Sequence, residues 1–232
     1  MTDALMNAAM LRLWQLISPA LPVGAYAYSQ GQEYAIDAGW INDEASAQTW
    51  ITGQLQNNLS ALDIPVLKRL YQAWLDDEHD AVNYWTDYLY ASREAVELQK
   101  EDRQTGMALA KVLSDQSIAH ASDITRNKII TSDRLTFATL FSLAGVEWQV
   151  PLATLAQGYA WAWCENQITA AIKTVPLGQA AGQRMLATVI SYIPDCVAAG
   201  LRRSDTQIGA MVPAVAIACA KHETQYTRLF RS

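Results

Sequence analysis

The chain has 232 residues, of which 51% are hydrophobic and only 17% charged, against about 25% charged in typical globular proteins. This composition excludes a disordered chain, and a net charge of −6 excludes a general basic field for nucleic acid or acidic membranes. So many apolar groups with so few charges predict that part of the exterior is meant for partners.

Gly (11) and Pro (7) are few, Ala, Leu and Gln are abundant, and no stretch alternates for long. The reading is an all-α single domain of about ten helices in a compact, bundle-like array. A first helix over Ala4–Ile17 places Leu5, Ala9, Leu13 and Leu16 on one face. Ser18–Ala25, with Pro19, Pro22 and Gly24, must be a loop. A short helix then runs to Ala38, where Gly39 suits the left-handed closing position. Asn42 or Asp43 caps a helix holding Trp50, Ile51 and Leu55. Asp63 caps the next, with Pro65 in its first turn and Val66, Leu70 and Trp74 on its core face.

Asp76–Asp80 reads as a solvated acidic connection, and Tyr84, Trp85, Tyr88 and Leu89 mark a further helix. Arg93–Asp115 reads as a long helix in which Glu97 and Glu101 are opposed by Arg93, Lys100 and Arg103. Residues 116–132 are polar and weakly patterned, a flexible connection. Helices over Asp133–Trp148, Leu152–Lys173, Pro176–Ile193, Pro194–Leu201 and Thr206–Ala220 complete the set, the second of these largely buried. There is neither an internal repeat nor a composition break, so residues 1–232 form one domain.

A secretory signal is disfavoured: Asp3 and a lone Arg12 make a poor basic region, and Pro19 and Pro22 interrupt the apolar stretch. Prolines and glutamines also spoil the windows that could cross a membrane. The chain is read as soluble and cytoplasmic. Its three cysteines, Cys164, Cys196 and Cys219, lack C-x-x-C spacing and read as reduced core thiols. The histidines, His79, His120 and His222, are far apart in sequence. His79 in its acidic turn offers a weak metal ligand or, more blandly, a solvated side chain.

Catalytic motifs are mostly absent. No G-x-x-x-x-G-K-[ST] or G-x-S-x-G occurs, and His222-Glu223-Thr224-Gln225 is followed by Tyr226 where a zinc protease needs a second His. Three local patterns remain. The first, Leu16–Tyr26 followed by Ser29–Glu33, is a proline-stiffened loop leading to a carboxylate at a helix start. The second, Pro176–Gln183, spaces Gly178 and Gly182 one turn apart beside Gln179 and Gln183, which suits close packing within the fold or across a dimer. The third, His222–Ser232, interleaves Tyr226, Leu229 and Phe230 with Arg228 and Arg231. Aromatics and Arg are enriched at binding hot spots, although a tail folded back on its own domain is the alternative.

Together these patterns resemble the urease accessory protein F (UreF) family. SPALPVGAYAYSQGQE (Ser18–Glu33), DIPVL (Asp63–Leu67), PLGQAAGQ (Pro176–Gln183) and HETQYTRLFRS (His222–Ser232) stand in the family's order, so the resemblance spans nearly the whole chain. Gln32 departs from the apolar residue usual there. The resemblance implies an all-helical, dimeric, non-catalytic chaperone, and the shortage of histidine and paired cysteine argues that it has no cofactor and does not hold metal tightly. Its implied partners are the scaffold accessory protein D (or H), the GTPase accessory protein G and apo-urease, to which the assembly delivers nickel. Family positions carry over to Gln30 and Glu33, to Lys173, to Gln179 and Gln183, and to Tyr226, Arg228, Leu229, Phe230, Arg231 and Ser232 in a partner-binding tail over 222–232. Arg228 is the main candidate for recruiting the GTPase, because planar fixed donors suit a carboxylate.

Two other readings stay open on the residues alone. An all-helical enzyme would need a nucleophile–base pair, and none is legible. A direct nickel carrier would need two or three ordered His or thiolate ligands, and the sequence offers scattered ones.

Overall fold

The computed structural model describes residues 3–125, 130 and 134–232, and among these there are helices and no strand. The sparse breakers and helical spacing of apolar groups thus give the all-α fold that they imply. Helix α1 (Asp3–Leu16) buries Ala9, Leu13 and Leu16 on one face as its spacing predicts, while the Leu5 side chain lies outside the described residues. The proline loop follows, buries Val23 and ends in a single 3-10 turn over Ala25–Ala27. Helix α2 (Gln32–Asp37) opens on Gly31 and closes beside Gly39, both left-handed, at φ 76° and 75°. At Gly31 a Cβ would also lie 2.8 Å from the Cys219 backbone nitrogen, so the position demands glycine twice over.

Helix α3 (Glu44–Gln54) is capped by Asp43, whose carboxylate accepts from the Ser46 N–H at 2.8 Å. The expected cap at Asp63 is not one. The chain passes from α3 through a wider π-helical stretch, Leu55–Asp63, straight into α4 (Ile64–Leu75). Pro65 has no N–H to give the Ala61 carbonyl. The Gly209 N–H occupies that carbonyl instead, at 3.0 Å. Gly200 allows the segment that leads to Gly209 to come this close, since a Cβ there would meet Ile64 at 2.7 Å and the Ser60 carbonyl at 2.9 Å.

Relieved of capping, the Asp63 carboxylate is buried and accepts from Arg93 at 2.6 and 3.2 Å and from the Tyr159 hydroxyl at 3.1 Å. Helix α5 (His79–Ala91) precedes Arg93, and α6 (Val96–Asp115) begins after it, so Arg93 lies outside the long helix assigned to it. The charges at the start of α6 do not simply pair along the helix: Lys100 and Arg103 are exposed, whereas Glu97 and Asp102 turn inward. Asp102, Thr105, Leu109 and Leu113 share one buried stripe at core spacing, while Glu97 is buried on another side, against His222 and Arg228. Charge can turn inward here because Arg93 also donates to Asp102 at 2.7 Å. Burial opposes the Arg93 charge, but Asp102 and Asp63 beside it hold the guanidinium firmly protonated. Burial pushes the Asp102 carboxyl up, against the pull of Arg93, and pushes the Tyr159 hydroxyl well up.

Part of the expected flexible connection is helical. Residues 119–125 form α7 (Ala119–Thr125) and bury Ala121 and Ile124, apolar side chains spaced to face the core. The rest of that stretch, 126–129 and 131–132, lies outside the described residues, as does Asp133, the expected start of the next helix. Helix α8 (Phe137–Glu147) starts after Thr136, whose hydroxyl accepts from the Thr139 N–H. Helix α9 (Leu152–Thr174) runs through the core as predicted. Helix α10 (Gln179–Ile190) begins later than Pro176 because Gly178 is its extended cap, and Gly182 alone sits inside it. Gly182 packs against Ile172 and Ile168 of α9, the internal version of the close-packing reading. Helix α11 (Ile193–Arg202) follows. Helix α12 (Pro213–His222) starts well after Thr206, since Gly209 at φ 149° holds a non-helical backbone that favours glycine and Pro213 suits a first turn. The three cysteines are free and buried. Among the described residues, no single helix is long and apolar enough to cross a membrane.

Removing Arg93 leaves Asp63 and Asp102 buried without their shared cation. Arg93→Ala is expected to cost about 3–5 kcal/mol of stability, measured by urea unfolding.

Candidate functional site

The last ten residues lie across the N-terminal motif. The Ser29 N–H donates to the main-chain oxygen of Ser232 at 2.8 Å, and the Arg231 N–H donates to the Ala27 carbonyl at 2.8 Å. These two backbone bonds lay the tail beside the segment that leaves the proline loop. The Ser29 hydroxyl adds a bond to the same Ser232 oxygen at 2.5 Å. Phe230 and Ser232 are buried, and the Lys173 ammonium stands 5.7 Å from the Phe230 ring and 5.8 Å from the Tyr26 ring.

Carboxylates of α2 and α6 fix the tail from beneath. Glu33 accepts the Leu229 N–H at 2.6 Å and the Phe230 N–H at 2.9 Å. Glu97 accepts from Arg228 at 2.7 Å. Between them lies His222, fully buried, with Nδ1 2.6 Å from Glu97 and Nε2 3.2 Å from Glu33. Glu223 accepts the Val96 N–H at 2.9 Å, which places a carboxylate at the N-terminus of α6. At the far end of the tail, Glu101 accepts from Gln30 at 2.8 Å and from the Ser232 hydroxyl at 3.0 Å. Burial pushes the Glu101 carboxyl up to about 7, with the Gln30 and Ser232 bonds pulling the other way. The Gln30 oxygen in turn accepts from the Trp163 ring at 2.8 Å. A cavity of about 190 Å³ runs beside this corner, between the proline loop and helices α6 and α9, and Pro19, Tyr26, Gln30, Glu101 and Trp163 line part of it.

Gln30, Glu33, Lys173, Arg228, Phe230, Arg231 and Ser232 therefore meet in one region, although the sequence scatters them over 203 positions. Gln179 and Gln183 stand exposed on α10, which packs against α3, α9 and α11, and take no part in this hydrogen-bond set. Tyr226 is fully exposed and Leu229 is 64% exposed, although the backbone that carries Leu229 is pinned by Glu33. The tail is thus folded back on its own domain and still presents an aromatic and an aliphatic side chain outward. Glu97, Glu101 and Glu223, which hold it, were legible in the sequence only as helix-surface or tail charges. A separate group of metal-ligating types lies elsewhere: Asp77, His79 and His120, with ligand atoms within 4.8 Å of one another. His79 and His120 are distant in sequence, and nothing in their local patterns pairs them.

The raised Glu101 pKa makes tail docking sensitive to pH. Its contribution to stability is complete below the usual 4.5 and is lost as pH rises toward about 7, where the buried carboxyl must ionise. Thermal unfolding followed between pH 4.5 and 8 is expected to show this decline, and Glu101→Gln is expected to remove it.

Similarity to known proteins bears on the same segments. Residues 41–190 match the family model described as UreF. A protein of Alkalilimnicola ehrlichii named urease accessory protein UreF is 47% identical over 231 residues, covering 100% of this chain and 99% of its own length. Proteins of the same name from Teredinibacter turnerae and Hahella chejuensis are 46% and 44% identical, covering 98% and 97% of this chain and 100% and 98% of theirs. The first of these matches covers the whole chain and so includes the proline loop and the tail, which flank the segment matched by the family model. The name is that of an accessory protein, not of a catalyst. With the family model matching well over half of the chain and relatives above 40% identity along nearly all of it, the chain belongs to the UreF family of urease accessory proteins.

Proposed function

We propose that this chain is the adaptor of urease maturation. In this reading it acts as a homodimer in the cytoplasm, binds the scaffold accessory protein D (or H), and recruits and regulates the GTPase accessory protein G while nickel is delivered to apo-urease. It has no catalytic site of its own and contacts neither nucleic acid nor membrane. The observation that carries the reading is the pinned tail, in which internal carboxylates hold the backbone while Tyr226 and Leu229 stand free. A segment already ordered loses little conformational freedom on binding, so its exposed anchors give affinity efficiently. Tyr26, 66% exposed, and Lys173 extend the same region onto the proline loop and α9.

The half-exposed guanidinium of Arg228 stays at the rim, and its bond to Glu97 fixes its orientation for an acidic partner. Gln179 and Gln183 supply a second, polar face on α10, suited to hydrogen bonding across a subunit contact. Membership in an accessory-protein family and a charge-poor exterior both support an assembly subunit.

Tyr226→Ala with Leu229→Ala is the direct test, since neither side chain holds the fold. Binding to purified D (or H) protein is expected to weaken at least tenfold by calorimetry, with helical content and melting temperature unchanged. Unchanged affinity would overturn the role of the tail. Arg228→Ala is expected to reduce capture of the G protein by the preformed complex and to lower urease activation. Retention of both would remove that residue from the proposal. Deleting the tail outright is a poorer test, because it strips Glu33, Glu97 and Glu101 of partners inside the domain.

A further inference from the structure

We infer that Asp77, His79 and His120 form a binding site for a first-row divalent transition metal, which ties the turn between α4 and α5 to helix α7. This inference is independent of the tail and of the adaptor reading.

Three observations carry it. The first is spacing. The Nε2 atoms of His79 and His120 lie 3.1 and 3.2 Å from the same Asp77 oxygen. Tetrahedral ligands at zinc–nitrogen distances of about 2.0–2.1 Å are about 3.3 Å apart, so two of the three ligand pairs already stand at coordination spacing. All three ligand atoms lie within 4.8 Å of one another, so one small closure of the two histidines completes a face.

The second is the state of the nitrogens. His79 Nε2 is buried and has no hydrogen-bond partner, for its approach to Asp77 is close but poorly directed. A buried ring nitrogen left unsatisfied is costly unless something binds it. His120 has the complementary arrangement. Its Nδ1 lies 3.3 Å from Glu147, at the end of α8, while Nε2 faces Asp77. With a metal ion at Nε2, the Nδ1–H would donate to Glu147, the support that ligating histidines generally have.

The third is rigidity and charge. Trp74 packs against both rings, edge-on to His79 with ring centres 6.2 Å apart and tilted against His120 at 5.7 Å. Trp74 is itself buried and anchored by its ring N–H to the Thr139 carbonyl at 3.0 Å. The two imidazoles are therefore backed by a fixed wall. Asp76, Glu78 and Asp80 surround the turn with negative charge, which raises the local concentration of cations. Two imidazoles and a carboxylate suit zinc, cobalt, nickel or copper rather than magnesium or calcium. With three protein ligands, solvent would complete the coordination.

The full-length protein is titrated with Zn²⁺ by calorimetry at pH 7.5, and with Co²⁺ by visible absorption, which reports the ligand field. One equivalent is expected to bind and to raise the melting temperature, and Cu²⁺ is expected to quench Trp74 fluorescence. His79→Gln and His120→Gln, both at partly exposed positions, are expected to weaken Zn²⁺ binding at least tenfold and to abolish the melting shift. Glu147→Gln is expected to weaken binding about tenfold without removing a ligand. Circular dichroism confirms that the variants remain folded. No binding to the wild-type protein at 100-fold excess Zn²⁺, or equal binding by wild type and both histidine variants, would overturn the site and leave a salt-bridged acidic turn.

Discussion

His222 has no exposed surface, yet both of its ring nitrogens face carboxylates, Glu97 at Nδ1 and Glu33 at Nε2. A buried imidazole needs a hydrogen-bond partner at each ring nitrogen, and the two carboxylates supply both. A charge inside a protein persists only when it is paired and hydrogen-bonded on all sides. The remaining lone pairs of Glu33 and Glu97 supply that closure by accepting Leu229 N–H, Phe230 N–H and Arg228. The course of the C-terminal tail therefore follows from the needs of a buried ion cluster. Helices α2, α6 and α12 each contribute one member, so the tail reports on how these helices are packed.

The same economy of charge runs through the rest of the core. Asp63, Arg93 and Asp102 form a second inward-facing ion group at the junction of the π-helical stretch and α6. A chain with only 17% charged residues thus places several of them inside, and its exterior is left more apolar still. Trp14, Tyr26, Met211, Tyr226 and Leu229 are among the exposed large hydrophobics. In a family of accessory proteins, such a surface is what a subunit built for contact requires.

Much was legible in the residues. Apolar spacing gave α1, α4 and α9, Gly39 closed α2, and Asp43 capped α3. The failures share one cause. Asp63 and the charges of α6 look like a cap and a row of helix charge pairs to any local rule, because Asp prefers caps and opposite charges one turn apart pair on a helix surface. Each rule yields when a distant group offers a better partner, and Arg93, Tyr159, His222 and Arg228 are such partners. The late start of α12 and the unbroken passage from α3 to α4 also depend on a distant contact, the Gly209 N–H at the Ala61 carbonyl.

By itself, then, the sequence determined the fold class, the family resemblance and the four segments that carry it. Periodicity, breakers and short motifs are encoded within a few residues of one another. Only the tertiary structure decided that the tail docks on the N-terminal motif, that Glu33 is its anchor, and that His79 meets His120. Those outcomes depend on buried charges finding partners and on helices delivering side chains across the fold. Neither is written in local spacing, because the energy of a buried ion is set by what surrounds it in space.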